Sequence, residues 1–242
     1  MRRLLAFPRF RVPEYNVHYE GAYDERGLHW RRLGAIDKAD NIAFLLAGEK
    51  VESVLEFGCG TGAVLAQVAK IGVGRHHVGV DLADPALHRD ANAAALDLRR
   101  IDSGRLPFED RSFDLVYASH VIEHLPDPRG ALAEIARVAR KWIYVEVPCE
   151  LHTRSNHADL QRTLDIGHIN AYTPESLQLL LESSGLQVKN LGLFDHSLEV
   201  HAFARGRLAG AVKFGFRRAL LLVSPVLASR MFTYHCGALV KR

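Results

Sequence analysis

Three carboxylates close three short apolar runs in the first half of the chain. Glu56 ends "SVLEF" apart from one residue, Asp81 ends "HHVGVD", and Asp102 ends "LRRID". Between the first two lies Gly58-Cys59-Gly60-Thr61-Gly62, followed by an apolar-periodic segment to Ile71. The pattern dictates strand, tight turn, helix. Glycines there admit positive φ and let a ligand reach the main chain, while the helix start offers unpaired N–H groups. The spacing Gly58-x-Gly60-x-x-Ala63 also satisfies the dinucleotide fingerprint, so a nicotinamide or flavin dehydrogenase has to be weighed. Glu56 points elsewhere. A carboxylate two residues before the first glycine repels a pyrophosphate, yet accepts a hydrogen bond from an ammonium group. Asp81 can take two ribose hydroxyls. Three carboxylates at three consecutive strand ends suit a ligand with an amine, a ribose diol and an exocyclic amino group, and no phosphate.

Three histidines form the second chemical group. His120 and His124 lie in "SHVIEHLPDP" and His168 in "GHINAYT". Histidine titrates near neutrality and can take the proton of a hydroxyl. A structural hydrogen-bonding role is equally open for each. The cysteines Cys59, Cys149 and Cys236 are far apart and form no CxxC pair, which fits a reducing compartment and argues against a zinc cluster. No metal ligands are assigned.

The elements that must position these groups follow from periodicity. A helix is expected over 33–47, where Lys38 could meet a ligand carboxylate or simply be solvated. Strands are expected at 53–57, 77–81, up to Asp102, 113–118 and 142–147. Asp84-Pro85 and Asp127-Pro128 each read as a cap and first turn of a helix. The polar stretch from Cys149 to Ala171 reads as an acceptor-site insertion or a solvated loop. A helix starts at Thr173-Pro174-Glu175. Two strands, 186–194 and 198–204, are expected to form a hairpin across Asp195-His196-Ser197. Residues 1–32 read as an aromatic arm or lid, 33–205 as one binding domain, and 206–242 as a helical extension packed on it.

The segments "VLEFGCGTG", "VGVDL", "IDSGRLPFEDRSFDLVYASHVIEHLPDP" and "GHINAYTPESL" resemble the motifs of class I S-adenosylmethionine-dependent methyltransferases. They are most similar to the small bacterial group related to the ubiquinone and menaquinone enzymes. The resemblance covers about residues 38–205. It implies an α/β, Rossmann-like sheet of seven strands in the order 3-2-1-4-5-7-6, with strand 7 antiparallel and helices on both faces. It implies S-adenosylmethionine as methyl donor and S-adenosylhomocysteine as product. Cofactor contacts would come from Glu56, Gly58, Cys59, Gly60, Asp81, Leu82, Asp102, Ser103 and Ser119. His124, His120 or His168 would be the base, acting on a small-molecule acceptor at oxygen.

The 242 residues carry a formal charge of +3 and 48% apolar residues, ordinary for a globular chain. The charge is uneven: from Val200 to Arg242 there is no Asp or Glu. That basic, apolar end could lie on a membrane surface or pack on the core. The apolar run "LLAF" near the start is too short for a signal peptide, and no run is long enough for a spanning helix, so a cytoplasmic protein is expected, with membrane association left open. A nucleic-acid methyltransferase is disfavoured, because "ASHV" stands where an amino-methylating enzyme would carry N/D-P-P-Y/F. A non-catalytic adenosylmethionine-binding protein is the remaining alternative. The acceptor and the oligomeric state are not encoded in any motif.

Overall fold

Strand β1 (Ser53–Phe57) is buried along most of its length, and the fold is built outward from it. In this computed structural model, residues 9–11, 24–84, 89–102 and 105–242 are described. The other strands are β2 (His76–Asp81), β3 (Asp97–Arg100), β4 (Phe113–Ser119), β5 (Ala139–Pro148), β6 (Gln187–Phe194) and β7 (His235–Lys241). They form one sheet in the order β3-β2-β1-β4-β5-β7-β6. The first five pair in parallel, and β7 runs antiparallel to both β5 and β6. This is the order and sense that the family resemblance implied.

Alternation along the strands feeds two cores, one on each face. Leu55, Phe57, Val116 and Ala118 face one side with Leu132 and Ile135 of helix α3 (Pro128–Val138). Val54, Leu115, Tyr117 and Tyr144 face the other, under Ala39, Ile42 and Leu46 of α1 (Glu25–Leu46) and Leu65 and Val68 of α2 (Ala63–Lys70). Helix α4 (His157–Asp165) lies in the polar stretch after β5, and α5 (Pro174–Ser183) starts at its Thr173 cap as expected.

Several boundaries move. Helix α1 begins at Glu25, because Asp24 caps it by accepting from Gly27 N–H at 2.7 Å. Residues 25–32 are thus helical rather than part of an irregular arm; most of the remaining arm, with Tyr15, Tyr19 and Tyr23, lies outside the described residues. So do Pro85 and the helix start expected there. Strand β3 ends at Arg100, before Asp102.

The expected hairpin is corrected. Residues 198–204 are helical, within α6 (Leu198–Arg205). The alternation Leu198, Val200, Ala202, Ala204 suggested a strand, but the buried residues are the adjacent Val200 and His201, a helical rather than a pleated pattern. Helices α7 (Arg207–Val223) and α8 (Pro225–Met231) follow, and α7 packs tightly on α6: a Cβ on Gly210 would lie 2.7 Å from the Ala202 main chain. The seventh strand comes from "HCGALVK", inside the segment expected to be a helical extension. It is buried on both faces, so it shows a continuous apolar run and no alternation.

Candidate active site

The glycine turn after β1 creates the site. Gly58, Gly60 and Gly62 all have positive φ, at 78°, 49° and 78°. A side chain on Gly58 would strike Val121 at 2.4 Å, so the turn and the loop after β4 close on each other only because position 58 is bare. A Cβ on Gly60 would meet nothing within 4 Å: its main chain faces open space.

That space is a cavity of about 380 Å³ at the carboxyl ends of β1, β2 and β4, within the size range of small-ligand sites. Phe57, Gly58 and Gly60 form one wall, and Asp81, Leu82 and Ala83 the next. Ile101, His120, Val121, His124 and Leu125 line the far side, with Arg31 from α1 and Asp165 and Ile166 from the end of α4. Residues 9–11 reach this last wall from outside. Arg11 exchanges two main-chain hydrogen bonds with the Gln161 side chain of α4, each 2.9 Å, and Phe10 stacks on His157.

Asp81 holds the turn. Its Oδ2 accepts from Gly60 N–H at 2.7 Å and its Oδ1 from Ala83 N–H at 2.8 Å. Burial raises its carboxyl above the ordinary value, and these N–H groups pull it back. Glu56 does not line the cavity. It is buried on the α1 side of the sheet, with Oε2 accepting from Leu65 N–H at 3.1 Å. Cys59 is buried beside Gly79, and burial pushes its thiol up. Asp102 is well exposed next to Arg100, outside the cavity wall, where Ile101 takes the lining position. Ser103 lies outside the described residues. Ser119 is buried and donates to Glu146 Oε1 at 3.3 Å.

The three histidines converge at the far wall. His120, with φ 59°, sits at the end of β4. Its Nε2 lies 3.3 Å from both His235 Nδ1 and Glu146 Oε1. Burial and then the Lys38 charge hold it well below the usual histidine range, so it is neutral at neutral pH. His124 Nδ1 lies 3.0 Å from the Gly167 carbonyl. A carbonyl can only accept, so Nδ1 carries the proton and Nε2 carries the lone pair. His168 stands behind it, ring centroids 4.7 Å apart and nearly perpendicular. Its Nδ1 contacts both Glu150 oxygens at 3.0 Å. Burial lowers its pKa, but the Glu150 carboxylate outweighs that and raises it overall.

Several site residues escaped the sequence reading. Glu123, Glu146, Glu150 and His235 surround the histidines, and only the strand register brings Glu146 and His235 together, two register positions apart across β5 and β7. Glu123 is fully buried, both its oxygens lack a hydrogen-bond partner among the described residues, and burial pushes its carboxyl up to about 7. Burial lowers the Lys38 pKa against the attraction of Glu146, Glu123 and Glu56. Two trios have donor types that could hold a divalent cation, with ligating atoms within 4.8 Å of one another: His120, Glu146, His235 and Glu123, His124, His168.

Residues 28–191 match the family model described as a methyltransferase domain. The chain is 32% identical over 146 residues to an O-methyltransferase, cnsE, of Penicillium expansum, covering 57% of this chain and 52% of that protein. It is 36% identical over 93 residues to the ubiquinone biosynthesis O-methyltransferase of Hahella chejuensis, covering 36% of this chain and 38% of that one. The chain thus spans about half or less of the length of these relatives. The solved structure of the [4+2]-cyclase SpnF superposes with a TM-score of 0.60 at 16% identity, covering 86% of this chain and 80% of that one. That likeness concerns the fold alone, and a cyclase on it shows why the reaction must be argued from the site. With the family model over most of its length, the glycine turn, and the 3-2-1-4-5-7-6 sheet, the chain belongs to the methyltransferase-domain family.

Proposed function

We propose that this protein methylates a hydroxyl oxygen of a small molecule, such as a sugar, lipid, quinone or natural-product scaffold, with S-adenosylmethionine as donor. One observation carries the reading. A single cavity has the glycine turn and Asp81 on one side and the histidine cluster on the other.

The residues present fit the donor. Each Asp81 oxygen spends one acceptor site on a main-chain N–H and keeps capacity for a ribose hydroxyl. Leu82 and Ile101 offer apolar surface of the kind a purine ring lies against, and the bare main chain of Gly58 and Gly60 admits close approach. Asp102 and Ser103 border this region in sequence. Glu56 supports the turn from behind, through α2, rather than meeting the donor's amine directly. Bound there, the donor supplies an electrophilic methyl group on a sulfonium.

What the chain itself contributes is alignment, desolvation and a base. Holding two reactants in line can account for ~7–11 kcal/mol of a displacement barrier. His124 reaches the cavity with Nε2 as its lone-pair nitrogen, because Gly167 fixes the proton on Nδ1. It takes the acceptor's hydroxyl proton. His168, oriented by Glu150, packs against its ring, and the buried Glu123 carboxyl within 4.8 Å is the group placed to stabilise the imidazolium that forms. His120 stays neutral and, with Glu146 and His235, shapes the acceptor side.

Calorimetry with S-adenosylhomocysteine and a metabolite screen with an isotope-labelled methyl donor test this together. Binding, plus label on an oxygen of a small molecule, is the expected result. No S-adenosylhomocysteine binding, or label appearing in nucleic acid, overturns it.

A further inference from the structure

Helix α7 presents its apolar face outward. At 3.6 residues per turn, one arc of roughly 160° holds positions 208, 209, 211, 212, 215, 216, 219, 222 and 223, all of them exposed, and the other exposed residues of the helix, Arg207 and Arg218, lie just outside it. The residues of the arc are Leu208, Ala209, Ala211, Val212, Gly215, Phe216, Ala219, Leu222 and Val223, with no polar side chain among them. The exposure is large: Leu208 82%, Leu222 77% and Val223 83%. Val226 and Leu227 continue the exposed stripe onto α8. The opposite face is the one that packs, through Gly210 against α6 and through Arg217, which is held by Asp195 and the Thr233 carbonyl.

The borders of the stripe are cationic. Arg207 and Arg218 lie along one edge and Lys213 along the other, with Arg230 exposed on α8. No Asp or Glu occurs after Glu199. An apolar arc of this width rimmed by basic side chains is the pattern of a helix lying in a membrane interface, where long cationic side chains reach the headgroups. A protein-binding patch of similar size would concentrate aromatic or arginine anchors at its centre; the middle of this arc is Leu208, Val212, Gly215 and Ala219, and every charge along its rim is positive. No helix among the described residues is long and apolar enough to cross a membrane.

We infer that the α7–α8 face docks this protein on the surface of an anionic lipid bilayer. The apolar arc enters the headgroup boundary, and the flanking arginines and lysine meet lipid phosphates. The inference does not depend on which acceptor is methylated.

The test uses the full chain and phosphatidylcholine vesicles with or without phosphatidylglycerol. Three proteins are compared: wild type, Leu208→Ser with Phe216→Ser and Leu222→Ser, and Arg207→Glu with Arg218→Glu. All substituted side chains are exposed, and matched thermal unfolding midpoints confirm that each variant folds. Wild type should co-sediment with the anionic vesicles and release in high salt. Each variant should lose about tenfold or more in partitioning, the charge reversal through lost headgroup attraction and the serine set through lost apolar contact. Absence of wild-type binding to anionic vesicles at low salt, or undiminished binding by the serine variant, overturns the inference. So does a lipid-free dimer that the serine set dissociates, since the face would then belong to a second copy of the chain.

Discussion

Glu56 gives the sharpest test of how the sheet is assembled. Its side chain is 2% exposed, with one hydrogen bond to Leu65 N–H. Burial pushes its carboxyl from 4.5 up to about 8, with Tyr117, Lys38 and the Leu65 N–H pulling the other way. Between these two values the folded protein holds this proton more tightly than the unfolded chain does. The stability it contributes is therefore fully present below about pH 4.5 and is lost as pH rises toward 8. At 1.36 kcal/mol per unit, the loss from about pH 5 to about pH 8 comes to roughly 3.5 kcal/mol. Glu56→Gln keeps an oxygen for Leu65 but does not titrate. Urea unfolding, followed by tryptophan fluorescence across that pH range, compares the two proteins. The stability of the variant relative to wild type should climb by about 3 kcal/mol from the acid to the alkaline end. Parallel curves would refute the reasoning, showing that Glu56 is solvated or paired strongly enough to ionise normally.

Four other outcomes are expected. Asp81→Ala removes the acceptor of two main-chain N–H groups and of the ribose, so affinity for S-adenosylhomocysteine measured by calorimetry should fall by about 1–3 kcal/mol; unchanged affinity would remove Asp81 from the site. His124→Ala should lower kcat about 10²–10⁴-fold with S-adenosylhomocysteine affinity intact, and a variant of full activity would mean another base or none. Glu150→Gln takes away the group that raises His168, so the His168 titration followed by NMR should move to lower pH. Gly237→Ala places a methyl 2.6 Å from Tyr144 Oη in the middle of the sheet, and chemical denaturation should show a loss of about 1–3 kcal/mol.

The glycine turn, Asp81 and the parallel half of the sheet were legible because each has a local signature. A short run with Val54, Leu55 and Phe57, followed by three alternate glycines, can be read without knowing what packs on it. The far wall was legible only in part. His120, His124 and His168 drew attention as residue types, but their partners are set by register and by loops. Glu146 reads as one polar residue in a buried strand, and nothing nearby announces that β7 will lay His235 beside it. The mistaken strand at 198–204 has the same origin. A short alternating run fits either period, and only the tertiary competition for the place beside β6 decides it. That place goes to β7, which is buried on both faces and makes seven register pairs with β6 and seven with β5.

This placement ties the end of the chain to the chemistry. Strand β7 lies between β5 and β6, so the segment from 206 onward completes the sheet rather than decorating it. His235, its first residue, touches His120 at the cavity wall, while Tyr234 just before it donates to the Arg217 carbonyl of α7. Arg230, at the end of α8, offers its carbonyl to both the N–H and the hydroxyl of Thr153 in the polar stretch after β5. The outward apolar helix and the acceptor side of the cavity are therefore joined through two short, hydrogen-bonded connections. A load on α7 from a bilayer would be felt first at Tyr234 and Thr153, and through them at His235 and the loop that supplies Glu150 and His168. A methyl acceptor with a lipid tail would use both features at once: the helix face would keep the enzyme at the surface where the tail is anchored, and the histidine wall would receive the head. That coupling rests on the hydroxyl-methylating reading of the cavity and on the docking of α7, each of which fails by its own measurement, so a soluble acceptor would separate the two without disturbing either.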